Sequence, residues 1–152
     1  MPRPRGLPRA VVDTNLFVSA YISRGGLAVA LLAVWRQGFF LLLMSEEQRA
    51  EIDDVLHRPV ITVRYRLREQ EVTDLFLLID TLGRRVPLRR RLPVHVRDPK
   101  DDMILASALG GNADYLVTSD ADLLVLAGHA ALPRLRIVSA ADFLDLLQPS
   151  SA

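Results

Sequence analysis

Cysteine is absent from the 152 residues, which excludes disulfides and any thiolate-held metal centre. A reducing, cytoplasmic setting is the expectation compatible with that. No uninterrupted apolar run reaches transmembrane length. The basic opening, Met1-Pro2-Arg3-Pro4-Arg5-Gly6, has no signal core behind it, because Asp13 and Asn15 interrupt the apolar residues that follow. Residues 1–8 are expected to be a disordered tail and 148–152 a frayed end. Aromatics make up only 6% of the chain, so its packed interior must come mainly from Leu, Val and Ala. Net charge is +1, and the molecule as a whole does not advertise a polyanion partner.

What is present is an ordinary length for one domain with a sizeable core, and half of the residues are hydrophobic. A single domain over 1–152 is expected. All basic residues but Lys100 are arginine, and Arg84, Arg85, Arg89, Arg90, Arg91 and Arg97 fall within one short stretch. Arginine suits bidentate phosphate contacts, so this stretch is a candidate RNA-binding segment. A solvated loop reads the same way.

The chain is organised around Ala10-Val11-Val12-Asp13-Thr14-Asn15. An apolar strand that stops abruptly in small polar residues is what a buried parallel strand looks like at its C-terminal end. In open α/β sheets the ligand crevice lies outside such ends, which puts Asp13 on its floor. Thr14 or Asn15 is expected to cap the helix that follows.

Further on, Leu27 to Gln37 is apolar nearly all round and stops at Gly38, a helix well inside the fold. Phe39 to Met44 reads as a second strand; Trp35, Phe39 and Phe40 are expected in the core. Ser45 and Gln48 form a capping-box pattern for a helix to about His57. Glu51 and Asp53 lie about 100° to either side of Ile52, and periodicity alone does not choose between them. Val60 to Arg68 is ambiguous, Glu69 to Leu82 is a helix ended by Gly83, and Val86 to Val96 is a weak strand or a loop.

Asp98-Pro99 opens a helix as N-cap and first residue, running to about Leu109 before Gly110-Gly111. Ile104, Leu105 and Ala108 lie three, four and seven residues beyond Asp101, so Asp101 projects from the inward face and Asp102 from its edge. An acid on a buried helical face is costly unless a cation or donor meets it. Asp114 to Thr118 is a third strand ending in Ser119-Asp120. A turn at Asp122, a strand at Leu135 to Val138 and a helix capped by Ser139 complete the chain. Strands alternating with helices predict a three-layer α/β/α sandwich on a mainly parallel sheet.

Two strand-end acids, Asp13 and Asp120, with Asp101 and one of Glu51 or Asp53, can converge at one crevice. Carboxylates gathered there repel unless a hard cation sits among them, which points to Mg²⁺ or Mn²⁺ and to phosphodiester hydrolysis by metal-activated water.

In these motifs the sequence resembles the PIN-domain nucleases, especially the toxins of bacterial and archaeal toxin–antitoxin pairs. The matching stretches are Val11 to Asn15, Ser45 to Pro59, Arg97 to Asp102 with Ile104, Leu105 and Ala108, and Ala113 to Leu123, in the family's order. The resemblance implies that Glu51, rather than Asp53, joins Asp13, Asp101 and Asp120 as metal-binding, catalytic acids. It implies that Thr14, Asn15, Ser119 and Asp122 support them or position water. It implies an RNA substrate, an antitoxin partner and a homodimer or higher assembly.

Two other readings stand beside it. One is an aspartate-nucleophile phosphohydrolase using Asp13 and Lys100, although Asn15 occupies the place where that chemistry wants an acid. The other is a non-catalytic PIN-like module that binds RNA or protein. His57, His95 and His129 share no ligand spacing.

Overall fold

The computed structural model describes residues 6–23 and 25–148. Residues 1–5, Arg24 and 149–152, which include most of the expected tail and frayed end, lie outside the described residues. Pro8 is not loose: its carbonyl accepts the Leu41 N–H at 2.9 Å and starts the strand pairing.

Five strands form one sheet: β1 (Arg9–Val12), β2 (Leu41–Ser45), β3 (Arg84–Val86), β4 (Tyr115–Val117) and β5 (Arg136–Val138). Their order is β3-β2-β1-β4-β5 and every neighbouring pair is parallel, with Ala10 opposite Leu42 and Val11 opposite Leu116. Side chains alternate across a strand, and here both faces are covered. Ala10, Val12, Leu42 and Met44 pack into one core, while Val11, Leu43, Leu116 and Ile137 pack into another. This is why the strands read as continuous apolar runs instead of alternating ones.

The first core holds α1 (Thr14–Ile22), α2 (Leu27–Arg36), α3 (Glu46–Leu56), α5 (Glu69–Leu82) and α8 (Ala140–Leu147), with α4 (Pro59–Thr62) a single turn at its border. The second core holds α6 (Pro99–Gly110) and α7 (Ala121–Leu124). The result is the α/β/α sandwich that the alternation of elements predicts. Among the described residues no single helix is long and apolar enough to cross a membrane.

Some local expectations change. Strand β2 begins at Leu41, not Phe39; Gly38 turns with φ 84° and leaves Phe39 43% exposed while Phe40 is buried. Only Leu31, Leu32 and Trp35 of α2 are buried, so this helix lies on the core and not within it. Val60 to Arg68 resolves into α4 and a turn, and the stretch after β3 is a strap without regular structure.

That strap explains the glycine pair after α6. A Cβ on Gly110 would lie 1.9 Å from the Pro87 carbonyl oxygen, and one on Gly111 would lie 2.8 Å from Val86 Cγ1. Arg89 N–H also donates to the Ala106 carbonyl at 3.0 Å, so the strap is seated along the helix. Because the obstacle is backbone, Gly110→Ala must push the strap away; a loss of about 2–3 kcal/mol is expected, read from urea unfolding.

The chain runs outward from β1 to β2 and β3, then returns to place β4 on the other side of β1. Neighbouring connections therefore leave in opposite directions at the β1–β4 boundary, the place where such sheets bind ligands at the C-terminal ends of their strands. Asp13 directly follows β1, and Asp120 comes three residues after β4 ends.

Candidate metal centre

Asp13 occupies the N-cap position of α1, the place expected of Thr14 or Asn15, without a full side-chain cap hydrogen bond, although the Asn15 and Thr14 N–H groups act on its carboxylate. Its N–H donates to the Val117 carbonyl at 2.9 Å, anchoring it to β4. Its Oδ2 accepts from the Thr118 hydroxyl at 2.7 Å. Thr118 Oγ1 in turn accepts the Asp120 N–H at 3.0 Å. One buried hydroxyl thus fixes both strand-end acids. The Asp122 N–H donates to Asp120 Oδ1 at 2.8 Å and fixes that carboxylate further.

Asp101 enters from α6. Asp98 caps the helix by accepting the Lys100 N–H at 2.9 Å, which sets the helical phase. Asp101 is then 6% exposed, on the face that also buries Ile104, Leu105 and Ala108. One carboxylate oxygen each from Asp13, Asp101 and Asp120 lies within 4.8 Å of the others. Asp101 Oδ2 is buried with no hydrogen-bond partner.

The electrostatics follow from this crowding. Burial pushes the Asp101 carboxyl up to about 7, and the nearby charges of Asp120, Asp13 and Asp98 add to it. Burial also raises Asp13, against the lowering effect of the Thr118 hydroxyl. Three acids this close, one with an orphaned buried oxygen, are a poor arrangement for protein alone. They suit a divalent cation with oxygen ligands.

Glu51 stands outside this tight group. It is half-buried on α3; burial raises its carboxyl, Lys100 lowers it, and the charge of Asp13 raises it again. Asp53 is exposed and lies 3.1 Å from His57 Nδ1, so it is Glu51 that feels the acids. Thr14 is buried, with Oγ1 3.5 Å from Gln48 Nε2, whereas Asn15 and Ser119 are exposed beside the acids. Asp122 contributes its backbone N–H. Of the six arginines, Arg85 is ion-paired with Glu46 and Asp80, and Arg84 shares a pocket with Arg49 and Asp80.

A family profile described as PIN domain matches residues 9–122, three quarters of the chain and all the elements that carry these acids. The chain belongs to the PIN-domain family. PIN domains are generally metal-dependent nucleases, and this one has an acid cluster able to hold a divalent ion. No curated protein matches the chain.

Two supporting residues of this PIN domain have roles beyond their sequence motifs, which give Thr118 only as part of a strand and Gln48 only as the capping-box partner of Ser45. Thr118 looks like the end of an apolar strand; the signal was its place two residues before Asp120. Gln48 continues the Ile52–Leu56 stripe toward the helix start, a polar residue on an apolar face. It is fully buried, and its Nε2 donates to the Val12 carbonyl at 2.6 Å, tying α3 to the end of β1. Ser45, the α3 cap, shares a 2.7 Å hydrogen bond with Ser107 of α6. The elements bearing Asp13, Glu51 and Asp101 are therefore cross-linked beneath the site.

Thr118→Val keeps the shape and removes the hydroxyl that holds Asp13 and Asp120. Mn²⁺ affinity measured by calorimetry is expected to fall about 10–100-fold, the usual cost of removing a group that orients metal ligands.

Proposed function

We propose that this PIN domain is a Mg²⁺- or Mn²⁺-dependent endoribonuclease, and the toxin of a toxin–antitoxin pair acting in the cytoplasm. The observation that carries the catalytic part is the meeting of Asp13, Asp101 and Asp120, with Asp101 Oδ2 buried and without a donor. These three carboxylates would hold the ion, with Glu51 as the fourth acid at the rim. When bound, the ion supplies Lewis-acid stabilisation and an activated water.

The chain's own groups then have defined tasks. Thr118 and the Asp122 N–H keep the acids in fixed rotamers. Glu51, with its carboxyl raised by burial, would exchange a proton with water or a leaving oxygen. Water adds to phosphorus, the bond from phosphorus to the leaving ribose oxygen breaks, and that oxygen takes up a proton. No covalent intermediate is needed, which fits Asp13 having one oxygen committed to Thr118.

An antitoxin and a homodimer or larger assembly belong to the same proposal. Val60 and Val63, 66% and 75% exposed between Arg58 and Arg64, offer an apolar surface for such contacts.

The test is cleavage of single-stranded RNA with Mn²⁺, compared with EDTA and with Asp13→Asn. Cleavage by the wild type alone supports the proposal. A folded, Mn²⁺-loaded wild type that leaves RNA intact overturns it in favour of a binding module.

A further inference from the structure

The first turn of α6 separates two sites. Asp101 belongs to the acid cluster, whereas its neighbour Asp102 lines an open groove of about 550 Å³ together with Arg89, Arg90, Arg91, His95 and Met103. The groove runs between α6 and the strap, whose seating by the Arg89–Ala106 hydrogen bond and the close approach at Gly110 makes it a built wall.

Its charge is one-sided. Asp102 is already engaged, with Oδ1 accepting the Val96 N–H at 2.8 Å and Oδ2 3.4 Å from His95 Nδ1. Arg49, Arg58, Arg68 and Arg85 are among the arginines held in ion pairs. Arg89, Arg90 and Arg91 are exposed and take part in none of them.

We infer that this groove carries the phosphate backbone of the RNA strand whose scissile phosphate lies at Asp13, Asp101 and Asp120. The inference rests on the ribonuclease reading and deepens it. Asp101 and Asp102 are adjacent in the first turn of α6, so the groove that Asp102 lines shares that turn with the acid cluster, and it carries three unpaired guanidiniums suited to bidentate phosphate contact. No Phe, Tyr or Trp lines the groove, and its one ring, His95, lies against Asp102, so the strand is gripped mainly by its phosphates and sequence preference from this contact is weak. Arg89, Arg90 and Arg91 are thereby separated from Arg85, which is held by Glu46 and Asp80. An acidic peptide is the competing occupant; continuity with the acid centre favours RNA.

The experiment compares wild type, the triple variant Arg89→Gln/Arg90→Gln/Arg91→Gln, and a control, Arg36→Gln/Arg66→Gln/Arg134→Gln, that removes equal charge elsewhere. Thermal unfolding first establishes that all three are folded. Binding of a labelled oligouridylate is measured in EDTA across a salt series, with polyglutamate as a second probe. The groove variant is expected to bind RNA about tenfold more weakly. Its salt dependence should be shallower by about 2 in log–log slope, from three lost contacts at about 0.7 each. The control should stay close to wild type.

Equal effects of the two variants, or loss of polyglutamate binding with RNA binding intact, would overturn the inference. Cleavage in Mn²⁺ separates it from the ribonuclease reading. KM raised with kcat unchanged in the groove variant supports the groove, and unchanged kcat/KM removes it while leaving the nuclease. RNA bound in the groove but never cleaved removes the nuclease and leaves the groove as a binding surface.

Discussion

Asp101→Asn is expected to make the metal-free protein more stable at pH 8 by about 2 kcal/mol while lowering Mn²⁺-dependent RNA cleavage by a hundredfold or more. The two effects have one cause. Asp101 is 6% exposed, crowded by Asp13 and Asp120, and has a buried oxygen without a donor. An amide in its place carries no charge to repel and brings an N–H that can donate to the neighbouring carboxylates. The same change deletes one anionic ligand and fills its place with a donor that faces the ion wrongly. Urea unfolding in EDTA and cleavage assays in Mn²⁺ read the two halves. A destabilised apo variant would mean that Asp101 already has a partner in the protein; undiminished cleavage would remove it from the site.

The second large effect is in the pH dependence of the wild type. The folded Asp101 carboxyl is raised from 3.8 to about 7, so between those values the folded protein holds a proton that the unfolded chain has released. Stability of the metal-free protein is therefore fully supported below about pH 4 and declines as the pH rises toward 7, by about 4 kcal/mol at most from this group. Asp13 and Glu51, also raised, act in the same direction. The groups facing Asp101 are Asp120, Asp13 and Asp98, all acidic. A divalent ion displaces that proton. Stabilisation by Mn²⁺, measured as a shift in Tm, should consequently be small at pH 5 and grow through pH 7 to 8. A Mn²⁺ shift independent of pH across this range would contradict the assignment of Asp101.

Much of this was legible in the residues. The spacing of Asp101 from Ile104, Leu105 and Ala108 by itself puts it on the inward face, because a helix's phase is local information. The same holds for Asp13 and Asp120 at the ends of apolar strands. Periodicity leaves Glu51 and Asp53 tied because both border one stripe; the family resemblance favours Glu51, and in the fold Glu51 feels the charge of Asp13 while Asp53 pairs with His57. For Thr118 the local pattern offers only its place two residues before Asp120: its partner Asp13 is 105 residues away, and a buried threonine at a strand end usually means nothing chemical. Arg85 looked equivalent to Arg89 in sequence but meets Glu46, 39 residues earlier, where β2 and β3 pair. Phe39 reads as strand core, and only the turn at Gly38 shows that the strand begins after it.

The most direct measurement is anomalous diffraction from crystals of the wild-type protein soaked in Mn²⁺. The account predicts a peak within coordination distance of Asp13, Asp101 and Asp120, lost in Asp101→Asn. Saturating Mn²⁺ with no density among those three carboxylates, or density unchanged in the variant, would contradict it.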